Sequence, residues 1–221
     1  MAEQEEAILM AVRKHLSDAE TSINQREFDQ ARRSAELAVQ VARQQEHVSS
    51  LAAAYYGIAA VVWRSGGDHQ EAHHYASLAA EHTHANTQTD LLVRTLIARL
   101  KLARGNLEHA QYLSEDLLDY YTQTADLPGR ADALRNLGDI HAAKQEPAHA
   151  ETRYRESLSI YQTLNDPLNH CGLLLSLGTL LYQNHRHTEA AGCWQQARNL
   201  AEAHGFRDVV HAADEGLELL H

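Results

Sequence analysis

The stretch RNLGDIHAAKQEPAHAETRYRESLSIY, from Arg135 to Tyr161, decides the fold of this 221-residue chain. Its apolar side chains recur three and four residues apart, which predicts two helices on either side of the short segment KQEPAH. Gly138 lies inside the first helix, where glycine costs about 1 kcal/mol relative to alanine. A glycine at this position indicates that a neighbouring helix packs too closely for a larger side chain. We therefore interpret Gly138 as a packing residue that makes room for the bulky Tyr154.

The same pattern returns along the chain at intervals of about 40 residues. Five units share a small residue at one position: Ala19, Ala60, Ala98, Gly138 and Gly178. They share alanine at a second position: Ala31, Ala72, Ala110, Ala150 and Ala190. Trp194 of the fifth unit is equivalent to Tyr154 of the fourth. Repetition at such a period is typical of a solenoid or a repeat array.

Composition supports a helical, folded protein. Hydrophobic residues make up 44% of the chain, and only three prolines and eleven glycines interrupt it. Alanine, leucine, glutamate, glutamine and arginine are good helix formers, and runs rich in β-branched residues, which would indicate strands, are missing. The sequence thus predicts an all-α protein with a substantial core.

Charge and segment lengths exclude several classes of partner. The formal net charge of −11 argues against nucleic acid and anionic membranes, both of which favour basic surfaces. The N-terminus MAEQEEAILM is acidic, unlike a secretory signal. The longest uncharged run, from Leu51 to Trp63, is shorter than the roughly 20 residues that span a bilayer. The two cysteines show no metal-type spacing. We predict a cytoplasmic protein.

The repeats resemble the tetratricopeptide repeat (TPR). Its pattern is a large residue, Leu-Gly, a second large residue and then alanine followed four residues later by an aromatic residue. The fourth unit meets this pattern with Leu134, Leu137, Gly138, His141, Ala150 and Tyr154, and the fifth meets it with Leu174, Leu177, Gly178, Leu181, Ala190 and Trp194. The period of about 40 residues is longer than the usual 34 and resembles the longer-helix variety. HEAT and armadillo repeats, which share the period but lack this signature, are the second interpretation.

The resemblance implies an α-solenoid, a right-handed superhelix of about five antiparallel helix pairs, with the first helix of each pair lining a concave groove. We expect one domain over residues 1–221. Its predicted repeats are 7–46, 50–86, 88–126, 128–166 and 168–204. Residues 206–221 are either a capping helix or a partial sixth repeat, and the chain is a complete array or a fragment of a larger protein.

The groove is the predicted binding site. Repeat-equivalent positions on the first helices, opposite the packed face, give a mixed lining that is partly basic. The candidate binding residues are Arg64, Arg99, Arg135, Asn136, Asp139, Thr179 and Tyr182. Guanidinium groups suit carboxylates, so an acidic side chain or a C-terminus of an extended peptide is a plausible guest. Alternatively, the arginines only form surface ion pairs with nearby acids such as Asp132.

No catalytic motif is visible, so we predict no enzymatic activity, no cofactor and no catalytic residue. Sixteen histidines raise the question of metal binding. The densest run includes His69 and His73, one helical turn apart, followed by His74, His82 and His84. Because two histidines on a helix need further converging ligands to hold zinc, we expect no metal there.

Three functional hypotheses follow from the sequence. The leading one is a non-catalytic interaction module that binds a protein or peptide segment in the groove. The second is the ligand- or peptide-sensing domain of a larger transcription regulator or signalling ATPase. The third is self-association into a homodimer through the apolar faces of the terminal helices.

Overall fold

The computed structural model describes residues 2–44 and 47–220 of the chain. Regular secondary structure in this part of the chain consists of eleven helices joined by short turns. The all-α, helical-repeat prediction is therefore confirmed. The predicted end of the first repeat at residue 46 and of the C-terminal segment at residue 221 lie outside the described residues. The assignment of the whole chain to one domain with these repeat boundaries stays a prediction, as does the handedness of the superhelix.

The helices belong to two compact units, which divide after Asn106. We call residues 1–106 unit 1 and residues 107–221 unit 2. The helices described in unit 1 are α1 (Ala2–Asn24), α2 (Phe28–Gln44), α3 (Val48–Arg64), α4 (His69–Glu81) and α5 (Gln88–Ala103). Those described in unit 2 are α6 (Leu107–Gln123), α7 (Leu127–Ala143), α8 (Pro147–Thr163), α9 (Pro167–Gln183), α10 (His187–His204) and α11 (Arg207–Glu218).

Left-handed residues terminate the helices at regular intervals. In the turns that the structure describes, one residue between successive helices has a φ between 51° and 76°. These residues are Arg26, Gly66, Asn86, Gly105, Ala125, Gln145, Asn165, His185 and Gly205. In the turn between α7 and α8, the Glu146 N–H then donates to the carbonyl oxygen of His141 at 2.9 Å. This closure reverses the chain within three residues, so that α7 and α8 become antiparallel neighbours.

Helix starts agree with the sequence signals. Asp68 caps α4 by accepting a hydrogen bond from the Gln70 N–H at 2.8 Å, whereas the carboxylate of Glu71 accepts hydrogen bonds from Arg32. Pro147 lies in the first turn of α8, where its missing N–H leaves no hydrogen bond unmade. The predicted break KQEPAH thus contains the turn at residues 144–146 and the first turn of α8.

Glycine and aromatic residues interlock in the core of unit 2. A Cβ atom on Gly138 would lie less than 3.0 Å from the ring of Tyr154, which is buried on α8. A Cβ on Gly178 would lie 2.5 Å from Nε1 of Trp194, and one on Gly216 would lie 2.7 Å from the same indole. The indole of α10 is therefore held between a glycine of α9 and a glycine of α11. The interpretation of Gly138 as a packing residue is confirmed.

Alanine dominates the core of unit 1. The second-helix position that holds Tyr154 and Trp194 in unit 2 holds Ala35 in the first repeat and Ala76 in the second, and both alanines are fully buried. The shared alanines of all five repeats, Ala31, Ala72, Ala110, Ala150 and Ala190, are also fully buried. Valine, isoleucine and tyrosine fill the remaining space between the helices of unit 1.

Candidate functional site

A depression on the first helices of unit 1 has a volume of ≈ 490 Å³. Its walls come from α1, α3 and α5, the first helices of three predicted pairs. We call it the unit 1 groove. It is lined by Leu16, Ala19, Glu20, Ile23, Ala53, Tyr56, Gly57, Ala60, Arg64, Gln88, Thr89 and Leu92. Ligand pockets commonly enclose about 300–1,000 Å³, so the groove is large enough for part of a peptide.

Small residues on α3 give the unit 1 groove its depth. Ala53, Gly57 and Ala60 follow one another at one helical turn, so they lie on one face of the helix. A Cβ atom on Gly57 would lie 2.6 Å from Cδ2 of Leu16, which shows how closely α1 approaches at this point. Leu92 on the opposite wall is 40% exposed. The result is an open depression with apolar walls.

Polar groups lie at the rim of the groove. Arg64, at the last turn of α3, is exposed, and its Nη2 donates a hydrogen bond to Oδ1 of Asn24 at 3.3 Å. Glu20 on α1 is also exposed, and Gln88 and Thr89 supply amide and hydroxyl groups from the start of α5. The rim therefore carries one cation, one anion and neutral hydrogen-bonding groups.

Arg99, the other candidate binding residue in unit 1, lies outside the unit 1 groove. Arg99 is half-buried on α5 and is not among the residues that line the unit 1 groove. Of the seven candidate residues, the unit 1 groove therefore contains Arg64 alone.

Unit 2 positions five candidate residues in three different environments. Arg135, Asn136 and Asp139 lie on α7, and Thr179 and Tyr182 lie on α9. Asn136 is only 2% exposed, so a partner would reach it only after its neighbours moved. Thr179 is exposed and lines a cavity of ≈ 360 Å³, whereas Tyr182 lines a second cavity of ≈ 520 Å³ beside Leu219 and Leu220.

Asp139 has a structural partner within its own hairpin. Its Oδ1 accepts a hydrogen bond from the Tyr154 hydroxyl at 2.7 Å. Burial, together with the negative charge of Asp139, raises the pKa of Tyr154 well above its usual range, so this hydroxyl remains a donor. Tyr161 makes a similar bond to Oδ1 of Asp132 at 2.6 Å. The carboxylates of α7 thus anchor the tyrosines of α8.

The histidine run of α4 makes local contacts. His69 packs against Trp63 with ring centroids 5.1 Å apart, and Nδ1 of His73 lies 3.3 Å from the Ser77 hydroxyl. Nδ1 of His82 lies 2.8 Å from the Leu78 carbonyl oxygen. Within the part of the chain that the structure describes, the histidines of this run form no group of three converging metal ligands.

Three potential ligands do converge elsewhere, at the turn between α7 and α8. Ligand atoms of His141, Glu146 and His149 all lie within 4.8 Å of one another. Nδ1 of His141 is 2.7 Å from Oε2 of Glu146, and this hydrogen bond holds the pKa of the Glu146 carboxyl below its usual range. The sequence did not indicate this group, because His141 fits the packing pattern of the repeat and the convergence of the three side chains depends on the geometry of the turn.

The apolar walls of the unit 1 groove were also missed. Tyr56 precedes the predicted groove residue Arg64 by two helical turns, while Leu16 lies on α1 and Leu92 lies near the start of α5. Following the 3.6-residue period backwards from Arg64 along α3 would have reached Ala60, Gly57 and Ala53. Their small size carries no chemical signal, so a search for charged or aromatic residues passes over them.

Comparison with known proteins supports the repeat assignment. The family model for the tetratricopeptide repeat matches residues 90–163. No curated protein sequence matched the chain. Among the helices in residues 2–44 and 47–220, none is long and apolar enough to cross a membrane.

Solved structures share the fold at low sequence identity. A Rap protein complexed with competence and sporulation factor has a TM-score of 0.82 and 15% identity, over 96% of this chain and 64% of that one. The Rap conjugation regulator of plasmid pLS20, in complex with the Phr* peptide, has a TM-score of 0.79 and 15% identity, over 97% of this chain and 60% of that one. BtubC from P. vanneervenii has a TM-score of 0.67 and 16% identity, over 92% of each chain.

The repeat signature, the stacked helices and these similarities lead to one assignment. Residues 90–163 carry the sequence pattern of the tetratricopeptide repeat, and the chain shares the helical-repeat fold of its structural relatives.

Proposed function

We propose that this protein is a non-catalytic interaction module and that the unit 1 groove binds an extended peptide or protein segment. The observation that carries the proposal is the open depression of ≈ 490 Å³ between α1, α3 and α5. Its walls are apolar and its rim is polar, the arrangement that gives affinity through burial and specificity through a few hydrogen bonds. A cytoplasmic setting belongs to the same proposal.

The lining indicates the chemistry of the guest. An apolar side chain of the peptide would be buried against Leu16, Tyr56 and Leu92, with a gain of about 25 cal/mol per Å² of apolar surface removed from water. A carboxylate, from an acidic side chain or a C-terminus, would replace Asn24 as the acceptor for Arg64. We infer an extended segment that carries an apolar residue and an acidic group a few residues apart.

The structural relatives support a peptide as the guest. The pLS20 regulator was solved in complex with the Phr* peptide and the Rap protein in complex with competence and sporulation factor, and both share the fold of nearly the whole of this chain. Arg99, Arg135, Asn136, Asp139, Thr179 and Tyr182 stay predicted contacts for a longer partner. Among them, the exposed Thr179 needs no rearrangement to be reached, whereas the buried Asn136 does.

A matched pair of tryptophan substitutions tests the groove. Peptides that bind the wild-type chain are first selected from a random display library, and their affinity is then measured by fluorescence anisotropy. Ala60→Trp places an indole in the groove, and we expect it to weaken binding at least about tenfold because the depression is filled. Ala80→Trp makes the same substitution at an exposed alanine of α4, outside the groove, and should leave the affinity unchanged.

Charge reversal tests the predicted acidic group. Arg64→Glu should weaken selected peptides by about 2 kcal/mol, as expected for the loss of a charged hydrogen bond, while Arg33→Glu on the exposed face of α2 should have no such effect. Equal affinities for both tryptophan variants would show that the peptides bind outside the groove and would overturn the proposal. Circular dichroism melts of each variant confirm that it is folded.

The second candidate is the peptide-sensing part of a larger regulator. It is favoured by one observation, that the chain matches only 64% of the length of the Rap protein and 60% of the length of the pLS20 regulator. The reading frame that encodes the chain tests it directly. An adjoining helix-turn-helix or nucleotide-binding domain would support a sensing domain, and its absence would leave the interaction module. Homodimer formation stays a prediction that light scattering at several concentrations can test.

A further inference from the structure

The turn between α7 and α8 gathers three side chains that metals prefer. His141 lies in the last turn of α7, Glu146 immediately precedes α8, and His149 lies in its first turn. Oε2 of Glu146 is 2.7 Å from Nδ1 of His141 and 3.7 Å from Nδ1 of His149. The two imidazole centroids are 5.3 Å apart. The carboxylate therefore lies between two imidazoles that come from opposite sides of one turn.

The backbone fixes this arrangement. Gln145 adopts the left-handed conformation with φ of 60°, and the Glu146 N–H donates to the His141 carbonyl oxygen at 2.9 Å. Consequently the positions from which His141 and Glu146 project are set by the closure of the turn. His149 follows on the rigid first turn of α8, three residues after Glu146.

The distances suit a small divalent metal. Zinc bonds to nitrogen and oxygen at about 2.0–2.2 Å with tetrahedral geometry, which separates neighbouring ligand atoms by about 3.2–3.6 Å. The observed separations of 2.7 Å and 3.7 Å lie on either side of that range. Small side-chain rotations would equalise them. Two imidazoles and a carboxylate also match zinc or cobalt in chemical preference, and they do not suit magnesium, which favours oxygen ligands.

Exposure and neighbouring charge allow an ion to enter. The His149 side chain is 74% exposed and leaves the outer side of the group open to water, while the His141 side chain is only 13% exposed. The nearest lysine in the sequence, Lys144, directs its Nζ to Glu108 at 2.9 Å and to Gln111 at 2.6 Å on α6. Its ammonium is thereby engaged on α6.

The group is particular to the fourth repeat. The equivalent positions of the fifth repeat hold Leu181, Arg186 and Glu189, where the guanidinium of Arg186 bridges Glu151 and Glu189. The same turn of the neighbouring repeat is therefore closed by a protein cation. In the fourth repeat the carboxylate has two imidazoles in place of that arginine.

We propose that His141, Glu146 and His149 form a three-ligand site for one divalent transition metal ion, with zinc as the preferred ion and water in the fourth position. A bound ion would link the end of α7 to the start of α8 and would stabilise this hairpin according to its concentration and affinity. The site is independent of the unit 1 groove.

Cobalt and zinc titrations of the full chain test the proposal. After treatment with a chelator and its removal, we expect the wild type to bind one Co²⁺ per chain with the visible absorption bands of a tetrahedral ion. Zinc should displace the cobalt, excess Mg²⁺ should not, and saturating zinc should raise the melting temperature. Displacement of cobalt by Mg²⁺, or saturation without a single tight site, would contradict the proposal.

Two histidine variants separate this site from adventitious binding. His149→Ala removes an exposed ligand with little cost to folding and should weaken the tight site at least about tenfold. His211→Ala is the matched control, because His211 is 77% exposed and lies 3.4 Å from Glu215, a histidine–glutamate pair in the same unit. If both variants lose the same affinity, or neither does, the three residues are only a hydrogen-bonded turn and the proposal is wrong.

Glu146→Gln provides an independent check. Glutamine keeps the size of the side chain and an oxygen that can accept a hydrogen bond from His141, but it removes the negative charge. We expect the cobalt absorption bands to be lost while the far-UV circular dichroism is unchanged. Retention of the bands at wild-type affinity would exclude Glu146 as a ligand and overturn the three-ligand site.

Discussion

Units 1 and 2 carry different residues at the two repeat positions where the helices of a hairpin pack together. In unit 2 a glycine on the first helix faces Tyr154 or Trp194 on the second, whereas unit 1 has alanine at the first-helix positions and Ala35 or Ala76 at the second. The second-helix residue is almost completely buried in both units. The repeat thus requires no particular pair of residues here, because valine, isoleucine and tyrosine side chains fill the space in unit 1 that one aromatic ring fills in unit 2.

The difference extends to the surface that a partner would meet. In unit 1 the small residues of α3 leave a depression of ≈ 490 Å³, whereas in unit 2 the ring of Tyr154 forms part of the wall of a smaller cavity of ≈ 360 Å³. An aromatic residue that stabilises the hairpin also occupies space near the face of its first helix. Beside Tyr154, unit 2 therefore leaves less room for a guest than the unit 1 groove does, and the larger cavity of unit 2, ≈ 520 Å³, lies beside Tyr182, Leu219 and Leu220 instead.

The variant with the largest expected effect on stability removes the Trp194 indole of unit 2. Trp194 is 2% exposed, and Trp194→Ala should lower the free energy of unfolding by about 3–5 kcal/mol because it leaves a cavity between Gly178 and Gly216. Ala76→Gly at the equivalent position of unit 1 should cost about 1 kcal/mol. Urea unfolding followed by circular dichroism measures both changes. Equal losses of unfolding free energy would show that Trp194 contributes no more to stability than Ala76 does.

The next test adds a single methyl group. Gly178→Ala should destabilise the protein by about 1–3 kcal/mol, because the new Cβ would lie 2.5 Å from the Trp194 indole. Gly192 on α10 is the matched control, since a Cβ there would meet nothing within 4 Å. Gly192→Ala should stabilise the helix by up to about 1 kcal/mol. Opposite signs for the two variants, measured by urea unfolding, would confirm that packing alone distinguishes the two glycines.

Substitutions in the turns should have smaller effects on stability, with a loss in unit 1 and a gain in unit 2. Gly105 ends α5 of unit 1 with φ of 76°, and Ala125 ends α6 of unit 2 with φ of 55°. Because a Cβ is strained in this conformation, Gly105→Ala should cost about 1 kcal/mol, and Ala125→Gly should gain about 0.5–1 kcal/mol. Thermal melts at a fixed scan rate compare the two variants. A destabilising Ala125→Gly would mean that chain entropy outweighs the strain.

The smallest expected effect concerns an ion pair of unit 2. A hydrogen bond from Arg186, supported by Arg155, holds the pKa of Glu151 below its usual range. A depressed carboxyl pKa contributes stability above the unfolded value of about 4.3 and loses it as the pH falls through the folded value. Glu151→Gln should therefore cost up to about 1 kcal/mol at pH 7 and progressively less below about pH 4.

An ion pair of unit 1 provides the comparison for the pair between Arg186 and Glu151. Arg32 of α2 binds Glu71 of α4 at 2.6 Å, with side chains that are 40% and 32% exposed. Glu71→Gln should cost less than Glu151→Gln, because Glu151 is only 19% exposed and screening by water is weaker there. A larger loss for Glu71→Gln at pH 7 would contradict this ordering.

Periodicity predicted the helices and their pairing well. Apolar residues three and four apart, the recurring alanine and the Leu-Gly pair together indicate a hairpin, and Asp68 and Pro147 mark where helices begin. The left-handed residues at helix ends were harder to predict. Ala125, Gln145 and His185 occupy the same conformation as Gly105, and nothing in their chemistry indicates it. Closure of the turn by tertiary packing overrides the local preference there.

By itself, the sequence determined the fold class, the spacing of the repeats and the role of Gly138, because each of these follows from a local period or from steric size. Only the tertiary structure decided which side chains meet. It placed Asn136 in the core, kept Arg99 out of the unit 1 groove that Arg64 lines, and brought His149 to His141 and Glu146. Such convergence depends on the angle between the paired helices and on the conformation of each turn, and the types of the residues involved do not reveal either one.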